Sequence, residues 1–379
     1  FEIANQYKSS WIFCNRERTP EEAAVQDSLE QQLWSIGQEV RYTRGKMLLY
    51  TQDLPFPVTH TPDNFGTFKK ETERIIPIRE PFDAPTALPG FTSSIELGEI
   101  PELSTLTGRK PEEGRLVSCC SGGEREALRL LSDFRDSLVD GTFTGDELKA
   151  LLQPRFSPWI SQGCLSPKML YATVTEGNLE EHPEVQNIVD ELYYRDYLRL
   201  MVKKYGDRIF EASGITDEEI NEDASAMSRF ELWAKGVTGI PIIDAGIRQL
   251  NRSGYIPEKL RMLLAIFLIK ELDVPWRYGA SYFESKLVDY DPCSNWVNWA
   301  NIAGVGPDSR ETRALNYVLQ AKRIDPDGVF VKEWIPALKN ADANWIHQPD
   351  QADDNILVDA GLLLGKDYPK AIFSTDRWQ

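Results

Sequence analysis

The stretch from Asp289 to Asn301, DYDPCSNWVNWAN, sets two carboxylates at i and i+2 (Asp289, Asp291). Asn295 follows, and then two indoles three residues apart, Trp296 and Trp299. Surface loops rarely hold two indoles, and core strands rarely hold carboxylates beside carboxamides. Flat apolar groups mixed with fixed hydrogen-bonding groups suit a pocket for an aromatic, polar ligand. Upstream, Glu191 and Arg195 stand four apart in ELYYRD, hence on one face of a helix. Three further stretches set charged or hydroxyl groups among apolar ones: Arg155–Trp159 (RFSPW), Gly239–Asp244 (GIPIID) and Gly254–Met262 (GYIPEKLRM). Taken singly, each has an ordinary reading. Glu191 and Arg195 read as a solvated helix pair, DxD as an Asx-turn, and a lone helical tryptophan as core.

These residues need a scaffold, and the bulk numbers allow one. The chain has 379 residues, enough for two or three domains, and 41% hydrophobic residues, enough for a large core. Its formal charge of −17 repels nucleic acid except where a local basic patch overrides it. Five unpatterned cysteines (Cys14, Cys119, Cys120, Cys164, Cys293) suit a reducing, intracellular setting, with the protein soluble. Three scattered histidines (His60, His182, His347) and no CxxC pair predict no metal site. The longest apolar run, 260–269, is too short to span a bilayer, so no membrane partner is expected.

Residues 10–15 (SWIFCN) read as a buried strand. Thr19-Pro20-Glu21-Glu22 opens a helix to about Ile36, stopped by Gly37, and 39–43 (EVRYT) alternates as a second strand. Strand, helix, strand predicts part of a parallel α/β sheet over residues 1–78, with another helix at 69–76. Prolines and glycines then mark a linker, 79–121. From 122 to 379 the pattern is helical, with helices expected at 124–138, 185–205, 241–251, 258–271, 280–288, 310–323 and 330–338. The expected fold is an N-terminal Rossmann-like parallel-sheet α/β domain, a long linker and an all-α C-terminal domain.

Taken in order, the four polar stretches leading into Asp289–Asn295 resemble the FAD-binding domain of the cryptochrome/photolyase family. Trp276-Arg277, Ala303–Gly306 (AGVG), Gln320–Lys322 (QAK) and His347–Pro349 (HQP) look most like its DASH cryptochrome branch. The likeness spans nearly the whole chain. The family's opening strand, with Trp-Phe-Arg and Asp-Leu-Arg, is absent, and the chain begins at Phe1 rather than Met, as a partial α/β domain would. The resemblance implies a noncovalent, bent FAD among the helices of the C-terminal domain. It implies that Arg155, Phe156 and Ser157 form a pyrophosphate turn, where a cation suits two phosphate charges. It places Glu191 and Arg195 at the cofactor, and Asp289 with Arg261 as an ion pair beside the isoalloxazine, tuning the ring more than stabilising the fold. Asp291 would lie at the flavin's edge. Asn295 would face N5, where a carboxamide can donate or accept.

The resemblance also implies photoreduction along indoles. Trp299 matches the flavin-proximal donor and Trp276 the middle one. No tryptophan stands in the distal region between Ile215 and Ser228, which leaves Tyr255, Tyr278 and Tyr282 as substitutes. A photolyase of this family clamps a flipped dinucleotide between aromatics. Here the clamp positions hold Tyr194 in place of tryptophan and Asn301 in place of an aromatic, with Glu258, Lys259 and Met262 as further candidate DNA contacts. Glu258-Lys259 stands where the family has Asn-Arg, and Gln153-Pro154 where it has hydroxyl residues. Glu73, in FKKETE, matches a folate-contacting acid and implies a methenyltetrahydrofolate antenna. Three readings remain open at this point. One is a DASH-like flavin photoreceptor with an unknown signalling partner. The second is a light-driven lyase for cyclobutane pyrimidine dimers in damaged or single-stranded DNA. The third is a flavin-free scaffold of the same fold.

Overall fold

The computed structural model describes residues 1–87, 98–108, 121–143, 145, 155–216, 225–309 and 315–378. The N-terminal part holds a short helix, α1 (Glu2–Gln6), and two strands, β1 (Trp11–Asn15) and β2 (Glu39–Thr43), joined by α2 (Pro20–Trp34). The strands pair in parallel, Trp11 opposite Glu39 through Asn15 opposite Thr43. α2 covers one face of this pair. Alternation then puts Trp11 and Phe13 on the other face, where they are 55% and 67% exposed. The expectation of a buried first strand is therefore corrected: nothing among the described residues packs on that face. α3 (Phe65–Glu73) starts earlier than expected, because Asn64 caps it by accepting from the Thr67 amide at 3.0 Å.

Of the expected linker, residues 88–97 and 109–120 lie outside the described residues, as do Gln153, Pro154 and most of the expected distal-donor region. Within the linker stands α4 (Leu103–Thr107). The remainder is helical: α5 (Glu124–Val139), α6 (Ser157–Ser161), α7 (Pro167–Val174), α8 (Pro183–Tyr205), α9 (Ala226–Lys235), α10 (Pro241–Ser253) and α11 (Glu258–Ile266). Then come α12 (Trp276–Lys286), α13 (Pro292–Ala303), α14 (Tyr317–Ile324), α15 (Val329–Trp334) and α16 (Asp354–Asp359). The helix expected over 258–271 is α11 followed by a π-helical turn, Phe267–Glu271. α12 begins at Trp276, four residues before expectation, because Pro275 sets its start. α13 has no counterpart among the expected helices. Its start is nonetheless written in Asp291-Pro292, a capping carboxylate followed by a proline at the first helical position. No helix among the described residues is long and apolar enough to cross a membrane.

Two apolar cores form. One gathers α5 to α8 with Leu48, Leu49, Phe68 and Ile76 from the N-terminal part. The other gathers α9 to α15 and the C-terminal segment. α13 belongs to both: Cys293 and Val297 point into the first, Trp299 and Ala300 into the second.

The GIPIID stretch ties down the C-terminal segment. The fully buried Asp244 carboxylate accepts from the Thr238 amide (2.8 Å), the Thr238 hydroxyl (2.7 Å), the Gly239 amide (2.9 Å) and the Tyr368 hydroxyl (2.6 Å). Gly239 has φ +77°, and a Cβ there would collide with the Lys370 carbonyl and the Ala371 backbone. Gly239→Ala combines a left-handed conformation with a backbone clash, so it is expected to destabilise the fold by more than about 2 kcal/mol. Urea denaturation measures this, and an unchanged midpoint would mean that residues 370–371 yield without cost.

Candidate functional site

The polar residues singled out in the sequence meet where the two cores adjoin. Asp289, in the turn before α13, has a side chain only 2% exposed. Its Oδ2 accepts from Arg261 Nη2 of α11 at 2.7 Å and from the Ser157 hydroxyl of α6 at 2.6 Å. One carboxylate thus joins a helix of each core. Its other oxygen, Oδ1, is buried without a partner. Arg261 is fixed from behind, its Nε donating to the Ile256 carbonyl at 2.7 Å.

Glu191, on α8, faces the same space. Its carboxylate is open to solvent yet walled in by protein. Burial and the Glu258 carboxylate push its pKa up to about 7, against the pull of Arg155 and Arg261. Arg155 is half-buried, pairs with Glu184 and lies over the Phe143 ring. Phe156 is core. Arg195 does not pair with Glu191 despite the i, i+4 spacing. It donates to the Lys46 carbonyl and stands 3.8 Å from Asp291. Asp291 also pairs with Arg199, a residue that sequence reasoning missed. The signal was present, since 191, 195 and 199 continue at steps of four along one stripe of α8. Burial opposes ionisation of Asp291, but Arg199 and Arg195 outweigh it and hold its carboxyl below the usual carboxylate range. The same carboxylate caps α13 through the Ser294 amide at 3.0 Å, so the ordinary Asx reading of DxD is half of its role. Asn295, one turn into α13, donates from Nδ2 to the Ala280 carbonyl at 3.0 Å.

The donor set fits a flavin nucleotide. Two cations (Arg155, Arg261), a hydroxyl (Ser157), a carboxylate (Asp289) and a carboxamide (Asn295) are available, with Ser157 and Arg261 bonded directly to Asp289. Asp289 Oδ1 is a buried acceptor in want of a donor, and Glu191 and Arg261 present accessible polar groups inside an enclosure. A buried carboxylate oxygen without a partner is costly in a finished fold, and a ligand N–H removes the cost.

Trp299 and Trp276 are both buried. The Trp299 ring lies against Gly279, where any Cβ would strike it. It meets Phe283 at 5.1 Å and Trp233 at 6.4 Å between ring centroids. Trp276 meets Trp296 edge to face at 5.7 Å. Tyr278 and Tyr282 both pack on Phe230.

The two expected clamp positions are engaged elsewhere. The Tyr194 hydroxyl donates to Asn298 Oδ1 at 2.7 Å, and its ring packs edge-on against Phe65 at 4.9 Å and stacks on Tyr197 at 5.9 Å. Asn301 Oδ1 accepts from the Asp308 amide at 3.1 Å. The Asp308 carboxylate in turn holds the Phe65 amide at 3.3 Å and the Asn64 side chain at 3.1 Å. Tyr194 and Asn301 are two ends of one brace between α8, α13 and the start of α3. Glu258, Lys259 and Met262 are exposed at the start of α11. Glu73 pairs with Lys69 at 3.4 Å on α3.

A second cluster was not anticipated. At the C-terminal ends of β1 and β2, a cleft is lined by Arg16, Arg18, Arg44, Lys46, Arg199 and Lys203. Burial and the neighbouring Arg18, Arg44 and Arg16 push the Lys203 pKa down. Four of these six cations follow directly on the strands, a position where parallel α/β sheets often hold ligands.

Residues 188–379 match the family model described as the FAD binding domain of DNA photolyase. A Synechocystis cryptochrome DASH is 36% identical over 97% of this chain and 76% of its own length. The crystal structure of a Synechocystis cryptochrome superposes with a TM-score of 0.86 at 35% identity, over 100% of this chain and 79% of that one. A bacterial class III photolyase from Agrobacterium tumefaciens gives 0.84 at 26% identity, over 100% and 79%. Together with a walled space whose donors suit a flavin, these likenesses make the chain a member of the cryptochrome/photolyase family, on its DASH cryptochrome side, and a blue-light-absorbing FAD flavoprotein.

Proposed function

We propose that the chain is a flavin photoreceptor photoreduced through tryptophans, with weak or no repair of duplex DNA. The observation that carries this reading is the brace through Tyr194 and Asn301. In a lyase these positions would offer flat rings to a flipped lesion. Here the tyrosine ring is packed against Phe65 and Tyr197, and the asparagine carbonyl is committed to Asp308. Stacking on an aromatic is worth roughly 1–3 kcal/mol per base, and neither position is free to supply it. Single-stranded or dimer-bearing DNA remains a weak partner in this reading. It would be met near Lys259 and Met262, with Glu258 opposing the phosphates.

FAD supplies the light absorption and one-electron chemistry. Arg155, Phe156 and Ser157 would receive the pyrophosphate. Glu191 and Arg195 would line the pocket, with Arg195 and Arg199 fixing Asp291 at the flavin edge. Asp289, oriented by Arg261, would offer Oδ1 as an acceptor. Asn295 would meet N5 through its oxygen, because its nitrogen is tied to Ala280. Electrons would enter through Trp299 and Trp276.

We infer that β1 and β2 belong to a Rossmann-like sheet, with an α/β unit over 1–78, a linker over 79–121 and the helical FAD-binding unit over 122–379. Support comes from the parallel pairing and the uncovered Trp11 and Phe13. For a folate antenna, Glu73 is the contact inferred from the family. The cationic cleft is also suited to the carboxylates of a folate's glutamate tail. The two lie apart: Lys69, the partner of Glu73, also pairs with Asp190, and Asp190 is about 20 Å from Lys203 along α8 at 1.5 Å per residue.

Asn295→Asp is expected to change the absorption spectrum that accumulates under blue light, because a carboxyl at that place can exchange a proton where a carboxamide cannot. An identical illumination series in both proteins removes Asn295 from the pocket. Trp299→Phe is expected to slow photoreduction by a large factor at unchanged FAD content, and equal rates would mean that another donor serves. The parent is expected to repair a cyclobutane dimer in duplex DNA poorly, and Tyr194→Trp with Asn301→Tyr to raise affinity for a dimer-bearing strand about tenfold over undamaged DNA, the effect of ~1.4 kcal/mol. Efficient duplex repair by the parent would sink the argument from the brace.

A further inference from the structure

We propose that Trp296 is the terminal electron donor of this chain, in place of a distal tryptophan, and that Glu284 is the base that receives its indole proton. The proposal rests on the route through Trp299 and Trp276.

A terminal donor must touch the chain of indoles, reach the surface and lose a proton, so that the separated charge does not return. Trp296 meets all three conditions. Its ring packs edge to face on Trp276 at 5.7 Å, and it stands three residues from Trp299 on α13. It is half-buried, whereas Trp276 and Trp299 are each 2% exposed. Its Nε1 donates to Glu284 Oε2 at 3.2 Å and lies 3.3 Å from the Tyr290 hydroxyl. Glu284 is exposed on α12 and can pass a proton to water. Burial pushes the Tyr290 pKa up, so that phenol keeps its own proton and the carboxylate is the acceptor. Trp276, by contrast, donates its Nε1 to the Ala212 carbonyl at 3.0 Å, and a peptide carbonyl takes no proton.

The competing branch fails on the same ground. Trp233 lies 6.4 Å from Trp299 but is fully buried, and its Nε1 has no acceptor among the described residues. Tyr282, next along that branch, donates to the Ala234 carbonyl at 2.8 Å and meets the Asn251 carboxamide. Neither group is a base.

The step balances as follows. Trp299 gives one electron to the photoexcited cofactor, Trp276 refills Trp299, and Trp296 refills Trp276. The oxidised Trp296 releases its Nε1 proton to Glu284 and becomes a neutral radical. An external thiol then returns one electron and one proton and is itself oxidised.

Flash photolysis with transient absorption of the FAD-loaded protein tests this, together with mass-spectrometric mapping of oxidised indoles after illumination in air without thiol. FAD content and melting temperature report folding of each variant. Trp296→Phe should shorten the lifetime of the separated charge and lower thiol-dependent photoreduction, each several-fold. Glu284→Gln should shorten the lifetime and leave the indole radical protonated. Trp233→Phe should match the parent, and oxidation should concentrate on Trp296. If Trp299→Phe abolishes photoreduction while Trp296→Phe matches the parent, the terminal donor is elsewhere and only this proposal falls. If Trp299→Phe itself matches the parent, the indole route and this proposal fall together.

Discussion

A single buried carboxylate holds the two halves of the helical region in register. Asp289 is met on one side by Arg261 from the core of α9 to α15 and on the other by Ser157 from the core of α5 to α8. Taking such a charge out of water is costly, and here a cation and a hydroxyl at hydrogen-bond distance offset that cost. Replacing the pair by apolar groups of similar volume is often neutral for stability. Its retention here fits the use of the one oxygen that neither Arg261 nor Ser157 satisfies. Oδ1, buried and without a partner, is left as an acceptor that a ligand N–H can meet.

α13 carries the same logic along its length. Its N-terminus is set by Asp291, which caps the helix and neutralises Arg199 beneath it. Cys293 and Val297 then face one core while Trp299 and Ala300 face the other. Asn295 and Trp296 lie on the remaining sides, one bonded to the Ala280 carbonyl of α12, the other bonded to Glu284 at the surface. Twelve residues thereby bring Asn295, the buried Trp299 and the half-buried Trp296 into fixed relation. The order of the DYDPCSNWVNWAN stretch is the order in which these jobs occur along a helix.

Much of this was legible in the sequence, for identifiable reasons. Strong capping signals and long periodic runs gave α2, α5 and α8 to within a few residues. The joint order of the polar stretches pointed to a flavin where each alone pointed to nothing. What escaped detection depends on partners distant in the chain. The burial of β1 was overestimated because its apolar residues face a side that no described residue covers. The Arg195–Glu191 pairing was overruled by Asp291 and the Lys46 carbonyl, which no helix spacing can show. The cationic cleft gathers residues from both strand ends and α8, nearly 190 positions apart in numbering, inside a chain whose net charge is −17.

The brace through Tyr194 and Asn301 shows how polar side chains at the junction of three helices satisfy one another. An indole and a second aromatic at these positions would be held outward, toward a lesion. A tyrosine has a hydroxyl that must be satisfied when half-buried, and Asn298 lies on the facing helix to accept it. The ring meets Phe65 edge to face, and the amide of that residue lies at the start of α3, where the Asp308 carboxylate holds it. Asp308 then needs its own backbone fixed, and Asn301 does so. Each member is satisfied by the next, so the group behaves as a closed network in which removing one partner exposes the others. Tyr194 and Asn301 are thereby part of the scaffold that holds α3 and α13 against α8. The buried indoles Trp299 and Trp276 pack against other rings and take no part in this network.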